Sequence, residues 1–138
     1  MRHVENIPIC SNTLFIYKLD IKKDLTLQFK KEKFGSVNKP FDSSASIGED
    51  LNVLRKYKEL NKEIKKAVDK TLKEVLMLEN INYRIFSSWL TKTKPKLFSD
   101  QHKHSNSWLS GVYYPKGNPG FGIKFYHDNL SQFFTPPK

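Results

Sequence analysis

Gln101-His102-Lys103-His104-Ser105-Asn106-Ser107-Trp108-Leu109-Ser110-Gly111-Val112-Tyr113-Tyr114 is the stretch on which the reading of this chain turns. It sets two imidazoles two residues apart, directly before a run of alternating large and small side chains. Residues i and i+2 of an extended strand share one face. His102 and His104 on a strand would therefore converge on one ion, and neutral imidazole is a good ligand for Fe(II), Zn and Cu. Two imidazoles do not complete a site, and a surface or structural role is the commoner origin of an HxH pair. Trp108, Ser110, Val112 and Tyr114 share one face of the run that follows. A large apolar group, a hydroxyl, a small aliphatic and a phenol would line a cleft with a few placed polar groups. The same stripe would also fill an ordinary barrel interior.

Downstream, Trp108 to Tyr114 reads as a strand and Pro115-Lys116-Gly117-Asn118-Pro119-Gly120 as a turn. Phe121 to Tyr126 reads as the next strand, pairing with 108–114 as a hairpin. His127-Asp128-Asn129 is turn-like, and the chain ends on the apolar Phe133-Phe134-Thr135-Pro136-Pro137-Lys138. Upstream, a period of two begins at Ile81. Tyr83, Ile85, Ser87 and Trp89 fall on one side, and Arg84, Phe86, Ser88 and Leu90 on the other. The segment Thr91 to Lys96, with Pro95, reads as a loop.

Residues 46–79 carry the clearest helical pattern. Ser46-Ile47-Gly48-Glu49 has capping-box spacing. Leu51, Leu54, Leu60, Ile64, Ala67, Val68, Leu72, Val75 and Leu78 recur at three- and four-residue steps and form one apolar face. The other face carries Arg55, Lys56, Lys58, Lys62, Lys65, Lys66, Lys70 and Lys73 among Glu59, Glu63, Asp69 and Glu74. Glu59 with Lys62 and Glu63 with Lys66 are helical neighbours. The mixed signs favour the solvated face of a core-packing helix over a nucleic-acid or membrane-surface helix. Glu79-Asn80 reads as the helix stop. In the N-terminal third, Leu14 to Tyr17 reads as a buried strand, with Pro8 an edge signal. Asp20 to Phe34 fits a strand or a short helix equally, and Gly35 to Gly48 is rich in turn formers.

The 138 residues suit a single domain, organised as N-terminal strands and loop (1–45), a buttressing helix (46–79) and a run of strands (81–138). That order is α+β, or mostly β with helical buttressing. The net charge of +10 speaks to partners rather than to fold. The excess is mostly Lys, since only Arg2, Arg55 and Arg84 are arginines, and readers of bases and phosphates lean on Arg. Nucleic acid is therefore possible but not favoured as a partner. Cys10 is the single cysteine, which excludes an internal disulfide and a cysteine-based metal site. No apolar run approaches the roughly 20 residues of a membrane span, and Met1 to Asn6 lacks a signal-peptide apolar region. The expectation is a soluble cytoplasmic protein with no membrane partner.

His102, His104, Asn106, Ser110, Gly111, Val112, Tyr113 and Tyr114, with Ser87-Ser88-Trp89-Leu90 before them and Gly120-Phe121-Gly122-Ile123-Lys124-Phe125 after, carry a resemblance. Over about residues 85–126 the chain resembles the 2-oxoglutarate/Fe(II)-dependent oxygenases of marine bacteria and phages. In that family an H-x-H-x-N segment runs into a Ser-Gly-Val-Tyr-Tyr strand. The resemblance implies a double-stranded β-helix (jelly roll), with Fe(II) and 2-oxoglutarate as cofactors and hydroxylation of an unknown substrate as the reaction. It implies that His102 and His104 are metal ligands, with Asn106 a ligand in an alternative register. It implies that Tyr114 reaches the far carboxylate of 2-oxoglutarate, and that Ser110 and Val112 line that pocket. The family's distal His and the basic residue beyond it are not found before Lys138, and His127 lies only 25 residues after His102. The expected barrel is therefore partial, and its open strand edge implies a homo-oligomer.

Three other readings stand beside this one. The first is an inactive or truncated family member acting as an oligomeric interaction protein. The second is a cupin-like metal protein, against which positions 107–109 are Ser, Trp and Leu where a Glu is expected. The third is a basic nucleic-acid binder using the 55–73 helix.

Overall fold

The computed structural model describes residues 2–9, 12–35, 45–93, 99, 101–104, 107–116, 122–127 and 130–134. In chain order its elements are β1 (Arg2–Ile9), β2 (Asn12–Lys18), α1 (Thr26–Phe29), β3 (Phe34–Gly35), β4 (Ala45–Gly48), α2 (Lys58–Lys70), β5 (Thr91–Thr93), β6 (Ile123–His127) and β7 (Leu130–Phe134). The described strands form three antiparallel ladders, β1-β2, β3-β4-β5 and β6-β7. Among the described residues, no helix is long and apolar enough to cross a membrane.

The core gathers around Leu25, Val53, Tyr57 and Leu60, with Leu19, Ile21, Phe29, Leu54, Ile64, Leu90 and Tyr113 packed against them. Asp20 to Phe34, open between strand and helix in the sequence, contains the single-turn α1, and Phe34 begins β3. The alternation of Leu25, Leu27 and Phe29 is not strand alternation. Leu25 is 5% exposed and Leu27 66%, because positions i and i+4 of a helical turn share a face and i+2 does not. Asp24 Oδ1 starts the turn by accepting a 2.8 Å hydrogen bond from the Thr26 N–H.

The long helix is shorter than its apolar pattern. Ser46 and Glu49 do not cap it, because Ala45–Gly48 is β4, paired with β3 and β5. The chain passes through a 3-10 turn at Val53–Arg55 before α2 starts at Lys58. Asp50 Oδ1 accepts from the Asn52 N–H at 2.8 Å and bends the chain ahead of that turn. Leu60 is buried and Ile64 half-buried, so α2 lays the predicted face on the core.

Past Lys70 the helix widens into a π-helical turn, Thr71–Val75. There the Leu76 N–H bonds the Thr71 carbonyl at 3.0 Å. Thr71 Oγ1 donates back to the Ala67 carbonyl at 2.9 Å, a bond that competes with the helical ladder. The same hydroxyl meets Tyr17 Oη at 2.8 Å, fastening β2 to the end of the helix. Met77 (φ 53°) and Asn80 (φ 57°) take left-handed conformations and end the helix.

Residues 81–90 form no ladder of their own. Ser88 makes one parallel bridge to Asn52, with Val53 N–H to Ser88 O at 3.0 Å and Ser88 N–H to Leu51 O at 2.9 Å. The Ser88 hydroxyl also accepts from the Leu54 N–H at 3.1 Å. The chain then enters β5, where the sequence reads as loop. Trp108 to Tyr114, expected as a strand, carries none. The expected hairpin partner of that segment, β6, pairs instead with β7, from Ile123↔Phe134 to His127↔Leu130. Cys10, Pro95, the turn at Gly117–Gly120 and the pair Asp128-Asn129 lie outside the described residues, as does most of the loop after Gly35.

Candidate metal centre

Ser88 is pinned on three sides, which sets the position of the next residue, Trp89. The Trp89 ring centre lies 5.5 Å from that of His104, with the planes at 48°. The His102 ring meets His104 edge-on, at 5.0 Å and 89°. The His104 carbonyl accepts a long hydrogen bond of 3.3 Å from the Ser107 N–H, so the chain turns directly after the pair. Both histidines are exposed to solvent.

Two imidazoles that share an ion in adjacent coordination positions have ring centres roughly 4.5–5.5 Å apart, given metal–nitrogen bonds of about 2.1 Å. The spacing of His102 and His104 falls in that range, and the nitrogen donors suit a divalent transition metal. It is also the spacing of an ordinary edge-to-face ring pair. Among the described residues, no three His, Cys, Asp or Glu side chains cluster. The pair therefore furnishes two donors. Asn106 and the side chain of His127 lie outside the described residues.

The expected co-substrate wall stands on the solvent side of its segment. Val112 is 63% exposed and Tyr114 38%, and Ser110 is exposed as well. At Gly111 an added Cβ would meet no atom within 4 Å. The inward residue is Tyr113, whose ring stands edge-on to Phe29 at 6.4 Å. Burial raises the Tyr113 phenol pKa, with the charges of Asp24 and Glu59 adding to the effect. Partial burial also raises the phenol of Tyr114. Lys116 Nζ reaches Asp24 Oδ2 at 3.2 Å and ties the end of the segment across α1.

The tertiary structure thus brings together Trp89, His104 and His102, and turns Ser110, Val112 and Tyr114 outward. Trp89 is the member that spacing alone does not supply, because it lies outside the HxH segment. Its signal is the position of Ser87-Ser88-Trp89-Leu90 upstream of the pair. Compared with known proteins, the chain matches no family model, no curated protein and no solved structure.

Proposed function

We propose that the chain is a 2-oxoglutarate/Fe(II)-dependent oxygenase-like protein in which His102 and His104 hold the metal. The observation that carries this reading is the 5.0 Å separation of the two imidazoles, in a segment that resembles the metal-binding motif of that family. Bound Fe(II) with 2-oxoglutarate would supply the oxidising chemistry that hydroxylates an organic substrate. His102 and His104 would donate nitrogen lone pairs to the ion, which requires both rings to be neutral. Trp89 stands against one side of the His104 ring. Tyr114 carries a phenol that is protonated at neutral pH and that partial burial pushes further above its ordinary value of 10.0, and so serves as a hydrogen-bond donor to a carboxylate.

The test is anaerobic addition of Fe(II) and 2-oxoglutarate, read by the weak metal-to-ligand charge-transfer band. The band is expected in the parent protein and lost in His102→Ala and His104→Ala. Its absence from the parent protein overturns the reading.

A second reading, a non-enzymatic interaction protein that assembles with its own copies, draws on the exposure of Trp108 at 78%, Val112 at 63% and Leu109 at 39%. Exposed apolar side chains of this size gathered in one segment mark contact surfaces. Light scattering at micromolar concentration separates the two readings when the iron titration is silent. A dimer that a Trp108→Ser variant dissociates supports the second, and a monomer removes it.

A further inference from the structure

The lysines of α2 divide into two groups. Lys66 is neutralised by the buried Glu63, Lys70 by Glu74 at 3.5 Å, and Lys56, just before the helix, by Glu32 and Asp50. Lys58, Lys62 and Lys65 enter no ion pair among the described residues. All three are exposed. Their spacing of four and then three residues puts them on one ridge, spanning about 10 Å of helix axis at 1.5 Å per residue. With Asn61, Lys66 and Asp69 they line a shallow groove of about 370 Å³. The groove's one carboxylate is occupied, because the Tyr83 hydroxyl donates to Asp69 Oδ1 at 2.7 Å.

Tyr83 also fixes what lies beside this ridge. Its hydroxyl is 3.2 Å from the Lys65 carbonyl, so the 83–86 segment is anchored on the helix. Tyr83 and Ile85 are half-buried, and Arg84 and Phe86 face solvent. Phe86 is 65% exposed, with the Arg84 guanidinium 5.8 Å from its ring centre. Three residues span at most about 11 Å, so the Phe86 backbone lies within that reach of the Tyr83 backbone. A row of unpaired cations beside an exposed aromatic ring is the combination that holds a single nucleic acid strand. Phosphates follow the charges, and a base stacks on the ring. An anionic membrane binds through a broad apolar helix face, whereas this ridge sets one aromatic ring beside Lys, Asn and Asp side chains. The net charge of +10 adds long-range attraction for the same ligand.

We propose that the Lys58–Lys62–Lys65 ridge of α2, with Arg84 and Phe86, binds single-stranded nucleic acid, the lysines contacting phosphates and Phe86 stacking a base. This site is separate from the histidine pair and stands whether or not that pair holds metal.

The experiment is fluorescence anisotropy of the full chain with labelled fifteen-nucleotide oligo-dT and oligo-rU over a salt series. Anionic phosphatidylserine vesicles are tested in parallel by sedimentation. Three phosphate contacts predict a slope of log affinity on log salt of about −2, at about −0.7 per contact for single strands. The K58Q/K62Q/K65Q variant is expected to abolish that slope and the binding. Phe86→Ala is expected to weaken binding at least about five-fold while leaving the slope in place. All four positions are exposed, and unchanged thermal unfolding confirms that each variant is folded. Oligonucleotide binding that survives the triple substitution overturns the proposal. So does a Phe86→Ala variant that binds like the parent, and so does capture by vesicles without capture of either oligonucleotide.

Discussion

The Tyr57 hydroxyl donates a 2.8 Å hydrogen bond to Oε1 of Glu32, while Lys56 Nζ holds Oε2 of the same carboxylate at 2.7 Å. Lys56 also reaches Asp50 Oδ2 at 3.1 Å. One carboxylate thus joins the turn after α1 to the start of α2, at the rim of the core to which Tyr57 itself belongs. Tyr57→Phe keeps the packed ring and removes the donor. Loss of a hydrogen bond to a charged acceptor costs about 1.5 kcal/mol, and a lower urea midpoint with an unchanged slope is expected.

The same contact sets a pH window. The Lys56 hydrogen bond, and after it that of Tyr57, holds the Glu32 carboxyl below its ordinary value of 4.5. Its stabilisation is present above that ordinary value and is lost as pH falls through the lower folded value. Burial, and then the bond to Glu32, pushes the Tyr57 phenol up to about 12 from 10.0. Its contribution is present below 10 and is lost as pH rises through about 12. Glu32→Gln should lower stability at neutral pH and flatten the acid limb, read as unfolding temperature against pH between about 2 and 5.

Leu60 is 4% exposed and joins the core from the first turn of α2. Leu60→Ala deletes buried methyl groups in a core with few fully enclosed side chains. It should cost about 2–4 kcal/mol in denaturant unfolding. Leu27→Ala, at a position 66% exposed one residue into α1, should stay within about 0.5 kcal/mol of the parent.

Tyr113 and Tyr114 are adjacent and face opposite ways. Tyr113→Ala removes a ring packed on Phe29 and the core, and should cost about 2–3 kcal/mol, at the low end for a large aromatic because the site is only half-buried. Tyr114→Ala, at a position 38% exposed, should change stability little and weaken the 2-oxoglutarate response if its phenol holds that carboxylate. Denaturation curves and the charge-transfer titration measure the two effects on the same pair of variants.

Trp89 stands 5.5 Å from His104 and so reports on the pair. Addition of Cu(II), a strong imidazole ligand, should quench Trp89 emission in the parent protein and much less in His104→Ala. Because Trp108 lies in the same segment, the measurement belongs in a Trp108→Phe background.

The apolar stripe of α2 was legible in the sequence, because every helical hydrogen bond closes within four residues and leaves its periodicity in the local string. Leu60, Ile64 and Leu72 and the lysine face across from them follow from that rule alone. So does the adjacency of His102 and His104, two residues apart. β4 was not legible. Ala45–Gly48 carries Ser46, and Glu49 follows it at capping-box spacing, yet strand partners at Phe34–Gly35 and Thr91–Thr93 claim the backbone of this segment. Those partners are distant in sequence, and no local pattern announces them. The same holds for Trp89 against His104, for the choice of Tyr113 over Tyr114 as the inward ring, and for the division of the α2 lysines into paired and unpaired. Local spacing settles which residues share a helix face or a two-residue step. Tertiary structure decided which faces meet, because burial and strand pairing depend on groups brought together from far along the chain.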